Sequence, residues 1–142
     1  MARVDLDLSE LEKWEDDLHV AAAVSEPAAR AVVARGSLQI KTEAKANAPS
    51  GPHTPHYPAS ITFDVETGAT GEIVGEVGPE RGRRQWGLGN ILEYGTENNA
   101  PHPHLEPALD HEEPRFYAAA ANLAAACVES PRAPLPKVAN RG

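Results

Sequence analysis

The sequence predicts an α+β fold: two N-terminal helices and a C-terminal helix packed on a small antiparallel β-sheet, with long proline-rich loops and an extended C-terminal tail. Three observations carry this. Apolar residues recur at helical spacing in the first third of the chain and again after Pro107. Between those stretches, two short runs alternate apolar and polar residues in the manner of strands. Proline clusters around positions 49–58 and 101–107 separate the elements.

The first helix is expected from about Ser9 to Val24. Ser9 with Glu12 makes a capping box, and Leu8, Leu11, Trp14, Leu18 and Ala21 share one face. Ser25-Glu26-Pro27 then supplies a cap and a first-turn proline for a second helix reaching about Asn47. Its stripe is Ala29, Val32, Val33, Gly36, Ile40 and Ala44. Gly36 inside a helix costs about 1 kcal/mol relative to alanine, so the helix either packs closely against a neighbour there or bends. A loop follows from Ala48 to Pro58, long for an ordinary connection.

Ile61, Phe63 and Val65 alternate with Thr62 and Asp64, Gly68 and Gly71 mark a turn, and Ile73 to Val77 alternates again, which predicts a β-hairpin. After the loop PERGRRQWGLG, Asn90 to Tyr94 is expected to add a third strand, ending near Thr96. Gly95 provides a position free to take positive φ where the chain turns. Ala100-Pro101 and His102-Pro103 favour extended geometry, and Pro107 suits the first turn of the last helix, with Leu105, Ala108 and Leu109 as its apolar underside. Pro114 should force that helix to restart, after which Phe116, Ala120, Leu123 and Cys127 form its buried stripe. Ser130-Pro131 ends it. The sequence thus divides into one domain, residues 1–130, and a proline-rich tail, residues 131–142.

At 142 residues there is room for one modest core. A net charge of −8 argues against a protein that wraps DNA phosphates, because that affinity comes from clustered Lys and Arg. A lone Cys127 makes no intrachain disulfide, and the start of the sequence does not read as a secretory leader, so folding in a reducing cytoplasm is expected. Ala118 to Val128, interrupted by Asn122, is too short to cross a bilayer, and no membrane role is expected.

Five of the six histidines, His53, His56, His102, His104 and His111, lie in or near the proline loops. His102-x-His104 with Glu93, Glu106 or Asp110 could hold zinc or iron, although exposed histidines in turns need no ligand to explain them. Cys127 reads as a small core residue, Gly87-Leu88-Gly89 precedes a strand instead of opening a helix, and Arg81, Arg83 and Arg84 beside Trp86 read as a solvated loop or an ion-pair partner. No catalytic, cofactor-binding or metal residue is assigned, and no cofactor is expected. The proline loops are stiff and expose apolar rings and Tyr57, so they are candidates for contact with neighbouring subunits.

Two stretches carry a resemblance. Glu93, Tyr94, Gly95 and Thr96, then a proline-flanked segment and Pro107-Ala108-Leu109, together with the upstream AKANAPSGPHTPHYPASI, occur in order over about a third of the chain. This resembles the neck or tail-completion proteins of long-tailed bacteriophages. Where that family usually has an aromatic residue before the leucine, this chain has His104. The resemblance implies a non-enzymatic virion protein, assembled in the host cytoplasm. It would form a ring, sixfold by family analogy, between the head-side connector or stopper protein and the tail terminator protein, through which DNA passes without specific binding. It also places the subunit or ring interface on Pro49, Tyr57 and Pro58 in the first loop, on Glu93, Tyr94, Gly95 and Thr96, and on Pro101, Pro103, His104, Leu105, Pro107 and Leu109. The acidic residues Glu10, Glu12, Glu15, Asp16 and Asp17 are candidates to face the channel and repel DNA, and the tail to dock on a neighbour. The main alternative is a small metal-dependent enzyme built on the histidine loops; a bacterial toxin or adaptor domain is more distant.

Overall fold

The computed structural model describes residues 9–129, in the order α1 (Ser9–Asn47), α2 (Tyr57–Ser60), β1 (Ile61–Thr67), β2 (Ile73–Pro79), α3 (Gly89–Tyr94) and α4 (Leu105–Glu129). A single 3-10 turn, Trp86–Leu88, leads into α3. Mixed helix and sheet agree with the α+β expectation; the helix count and the sheet do not agree in detail. The tail at 131–142 lies outside the described residues.

The two expected N-terminal helices are one. α1 has 39 residues, roughly 58 Å at 1.5 Å per residue, and continues through Pro27. Proline removes only the bond to the carbonyl four residues back, that of Ala23, and Ala23 is exposed, where solvent can satisfy it. Continuing the helix keeps Ala28 and Ala29 in line with buried Val32. The same reasoning covers Pro114, which interrupts nothing: α4 runs through it, and Asp110, whose carbonyl loses its partner, is exposed.

α4 returns antiparallel along α1. A Cβ built on Gly36 would stand 3.2 Å from Phe116 Cδ2, so of the two explanations for that glycine, close packing is the one observed. His111 Nδ1 meets Glu43 Oε1 at 2.5 Å about two turns further along α1. Extending this register puts the described end of α4 level with the Ala21–Val24 stretch, so roughly the first three turns of α1 project past it. Trp14 and Leu18 are 68% and 56% exposed there.

The hairpin forms as expected, with Phe63 opposite Val77 and Val65 opposite Gly75. Its inner face lies on α1 beside α4. Lys41 Nζ sits 5.2 Å from the Phe63 ring centroid, and Arg30 Nη2 donates to the Val65 carbonyl at 2.6 Å. The sheet has two strands, because Gly89–Tyr94 is helical and the expected third strand does not exist. A stretch this short, with Ile91, Leu92 and Tyr94 as its apolar residues, fits either form. Here Gly89 and Glu93 are buried and Leu92 half-buried, while Asn90, Ile91 and Tyr94 are exposed, a period near 3.6 that a strand could not provide.

The core is small: Ala44, Ala48, Tyr57, Ile61 and Ala108, bordered by Ile40, Val77, Leu88, Leu92 and Leu105. Tyr57 is 0% exposed, which corrects the expectation that the first proline loop displays it. Tyr57 opens the short helix α2 with Pro58 beside it in the first turn, and its phenol packs inward.

Candidate functional site

The residues singled out in Glu93–Leu109 build one closed unit around the start of α4. The first backbone amides of a helix have no partner inside it. Glu93, at the end of α3, supplies one from outside: Oε2 accepts from the amides of His104 at 3.0 Å and Leu105 at 3.1 Å, and Oε1 from Glu106 at 2.8 Å. A carboxylate here also meets the positive end of the helix dipole. Burial by itself would raise the Glu93 pKa, but the three amides and nearby His104 outweigh it, and the carboxyl is held below the ordinary carboxylate value.

Gly95 makes the connection possible. It takes φ +74° and ψ −175°, a region open essentially to glycine, and a Cβ would stand 2.7 Å from the Asn99 carbonyl oxygen. The positive φ expected from sequence is therefore present. Thr96 and Asn99 close a tight turn through paired backbone bonds of 2.9 and 3.2 Å, and the His102 amide donates to the Leu92 carbonyl at 2.6 Å. Pro101 and Pro103 lie exposed on the extended segment that follows.

His104 is buried and ties this unit to the first loop. Its Nδ1 lies 3.0 Å from the His102 carbonyl and 3.1 Å from Glu93 Oε2. Both are acceptors, so in the neutral ring Nδ1 carries the proton and Nε2 accepts from the Tyr57 hydroxyl at 2.8 Å. The rings meet edge to face, with centroids 5.3 Å apart and planes at 85°. Burial, then the negative charge of Glu93, push the Tyr57 hydroxyl up to about 12. The Glu93, His104 and Tyr57 chain superficially suggests a proton relay, but it is sealed from solvent and Glu93 is occupied by backbone.

The remaining candidates separate by exposure. Tyr94 is 74% and Leu109 53% exposed, and Thr96, Pro101 and Pro103 are also at the surface. Pro49, Pro58, Gly95, Leu105 and Pro107 are half-buried, so they support the loops more than they display them. Glu10, Glu12, Glu15 and Asp16 are exposed on the projecting end of α1, with Asp17 half-buried. The histidines do not converge: His104 points inward, His111 meets Glu43, and His53 and His56 use their backbones in loop bonds. Among the described residues no three His, Cys, Asp or Glu side chains are grouped to hold a metal ion.

Gln85 is a structural residue that the sequence reading missed. It holds φ +62°, accepts from the His56 amide at 2.8 Å and donates to the His53 carbonyl at 2.9 Å, pinning the first proline loop to the turn before α3. No local signal marks a glutamine for that task.

Comparison with known protein families, curated proteins and solved structures finds no match for this chain.

Proposed function

We propose that this chain is a structural subunit of the neck of a long-tailed bacteriophage, forming a ring between the head-side connector or stopper and the tail terminator, with DNA passing through the channel. One observation carries the reading. Glu93, the most chemically active-looking residue of the motif that bears the resemblance, has both carboxylate oxygens occupied by three backbone amides at the start of α4. The motif then encodes a rigid helix start, a task suited to a subunit whose work is mechanical. His104 fits the same reading, since it packs against Tyr57 as an aromatic residue would.

The surface supports it further. α1 projects past α4 with Trp14 and Leu18 exposed beside Glu10, Glu12, Glu15 and Asp16, giving apolar area for a neighbouring copy and a charged stripe that would repel DNA in a channel. Native mass spectrometry with electron microscopy of the full chain, alone and mixed with the tail terminator encoded near it, tests the reading. A metal-free closed ring that binds the terminator is expected. A monomer indifferent to that protein and carrying stoichiometric zinc or iron would replace it with the metal-enzyme reading.

A further inference from the structure

In this two-stranded sheet the outer edge of β2 is built for pairing and, among the described residues, left unpaired. Ser60 accepts from the Glu80 amide and Gly68 donates to the Glu72 carbonyl, each at 2.8 Å, so the even-numbered residues between them form the bonded pairs with β1. By the alternation of an antiparallel ladder, the amides and carbonyls of Ile73, Gly75 and Val77 point to the opposite edge. On β1 the equivalent edge is partly covered, since Arg30 takes the Val65 carbonyl. On β2, among the described residues, no hydrogen bond is made to those three outward-facing positions.

That edge borders a groove. The hairpin and α4 both pack on α1 side by side, leaving two adjoining depressions of about 330 and 520 Å³ that share Ile40, Gly75 and Leu109. The floor is α1, and the far wall is α4, where Leu109 and Tyr117 are 53% and 63% exposed. A strand edge, an apolar floor and a helical wall are the elements that receive an extended peptide by strand addition. The wall is acidic: Glu106, Glu112 and Glu113 line the groove, and among the described residues the ion pair there is Glu112 with Arg115 at 3.6 Å.

We infer that this groove takes the tail of a second copy, residues 137–141 adding as a strand to β2. Three facts select this occupant. In a chain of net charge −8, residues 130–142 carry Arg132, Lys137 and Arg141 and no acid, which complements the acidic wall. Pro131, Pro134 and Pro136 cannot donate to a ladder, whereas residues 137–142 are free of proline. The groove lies opposite Leu109–Tyr117, roughly 18–30 Å back along α4 from Glu129. Reaching it within one copy requires the chain to reverse over residues 130–136, which the three prolines there disfavour, and this favours a neighbour's groove. Residues 1–8 fit less well, because Asp5 and Asp7 would face the same carboxylates. The inference rests on the reading that the chain assembles with its own copies.

The test uses the full chain with a photo-crosslinking benzoylphenylalanine in place of Ala139, which shares a strand face with Lys137 and Arg141, mixed with an isotopically heavy unsubstituted population. Cross-links from position 139 should reach residues 73–77 and 109–117 of the heavy copies. Glu106→Lys with Glu113→Lys should lower the yield roughly tenfold, and Lys137→Glu with Arg141→Glu should restore it. Cross-links within one copy, to residues 1–8 or to the projecting end of α1, or a yield blind to the charge changes, would overturn the inference. Native mass spectra of the same samples separate the two failures. A ring without groove cross-links removes this inference alone, whereas a monomer removes the assembly reading with it.

Discussion

Glu93→Gln is the sharpest test of the helix-start unit. The change keeps the shape and deletes the charge. Because Oε1 and Oε2 both accept from backbone amides, either orientation of the glutamine turns its amino group toward at least one of the amides of His104, Leu105 and Glu106. An orphaned buried amide costs roughly 1–3 kcal/mol, and loss of charge assistance removes roughly 1 kcal/mol in total or somewhat more from the remaining bonds. A loss of about 3 kcal/mol follows, or roughly 10 °C in melting temperature for a domain of this size. The pH dependence adds a second readout. The folded-state pKa of Glu93 lies below its ordinary 4.5, so the unfolded chain binds more protons between the two values. The stabilisation is complete above about 4.5 and is lost as pH falls through the folded value, and the difference between wild type and Glu93→Gln should shrink in the same window. Urea titrations followed by circular dichroism at pH 7 and at pH 3, with hydrogen exchange at residues 104–106, measure this. A difference under about 0.5 kcal/mol at pH 7, or one that persists unchanged at pH 3, would refute the capping argument.

Tyr57→Phe leaves His104 Nε2 without its donor and should cost about 1–2 kcal/mol at neutral pH. In the wild type one tyrosine should ionise near pH 12, seen by absorbance at 295 nm, and stability should fall by roughly 2–3 kcal/mol between pH 10 and 12, since the raised folded value keeps its proton after the unfolded chain has lost it. Both effects should vanish in the variant. Gly95→Ala, forced to φ +74° against the Asn99 carbonyl, should cost about 3 kcal/mol by denaturant titration, and a neutral result would mean the turn relaxes freely. Gly36→Leu should separate α1 from α4 and destabilise by roughly 2 kcal/mol or more, whereas an exposed glycine would have gained helix propensity. Trp14→Ser with Leu18→Ser should leave the monomer's unfolding free energy within about 0.5 kcal/mol while reducing self-association measured by sedimentation.

Several elements were legible in the sequence because they rest on local periodicity. The stripe through Val32, Gly36, Ile40 and Ala44, the alternation of Ile61, Phe63 and Val65, and the need for glycine at position 95 all answer to constraints a few residues long. Gly36 left close packing and a bend both open, and the approach of Phe116 decided between them. Tertiary structure decided the rest. Pro27 and Pro114 are helix stops by local rules, yet each removes one bond at an exposed turn while packing rewards continuity on the buried face. Asn90 to Tyr94 is equally apolar as strand or helix; it is helical because that form buries Leu92 and aims Glu93 at amides eleven to thirteen residues later. Tyr57 and His104, in loops whose prolines suggested surface, became the sealed centre because each satisfies the other's polar atom, a match that spans 47 residues and that no local pattern could carry.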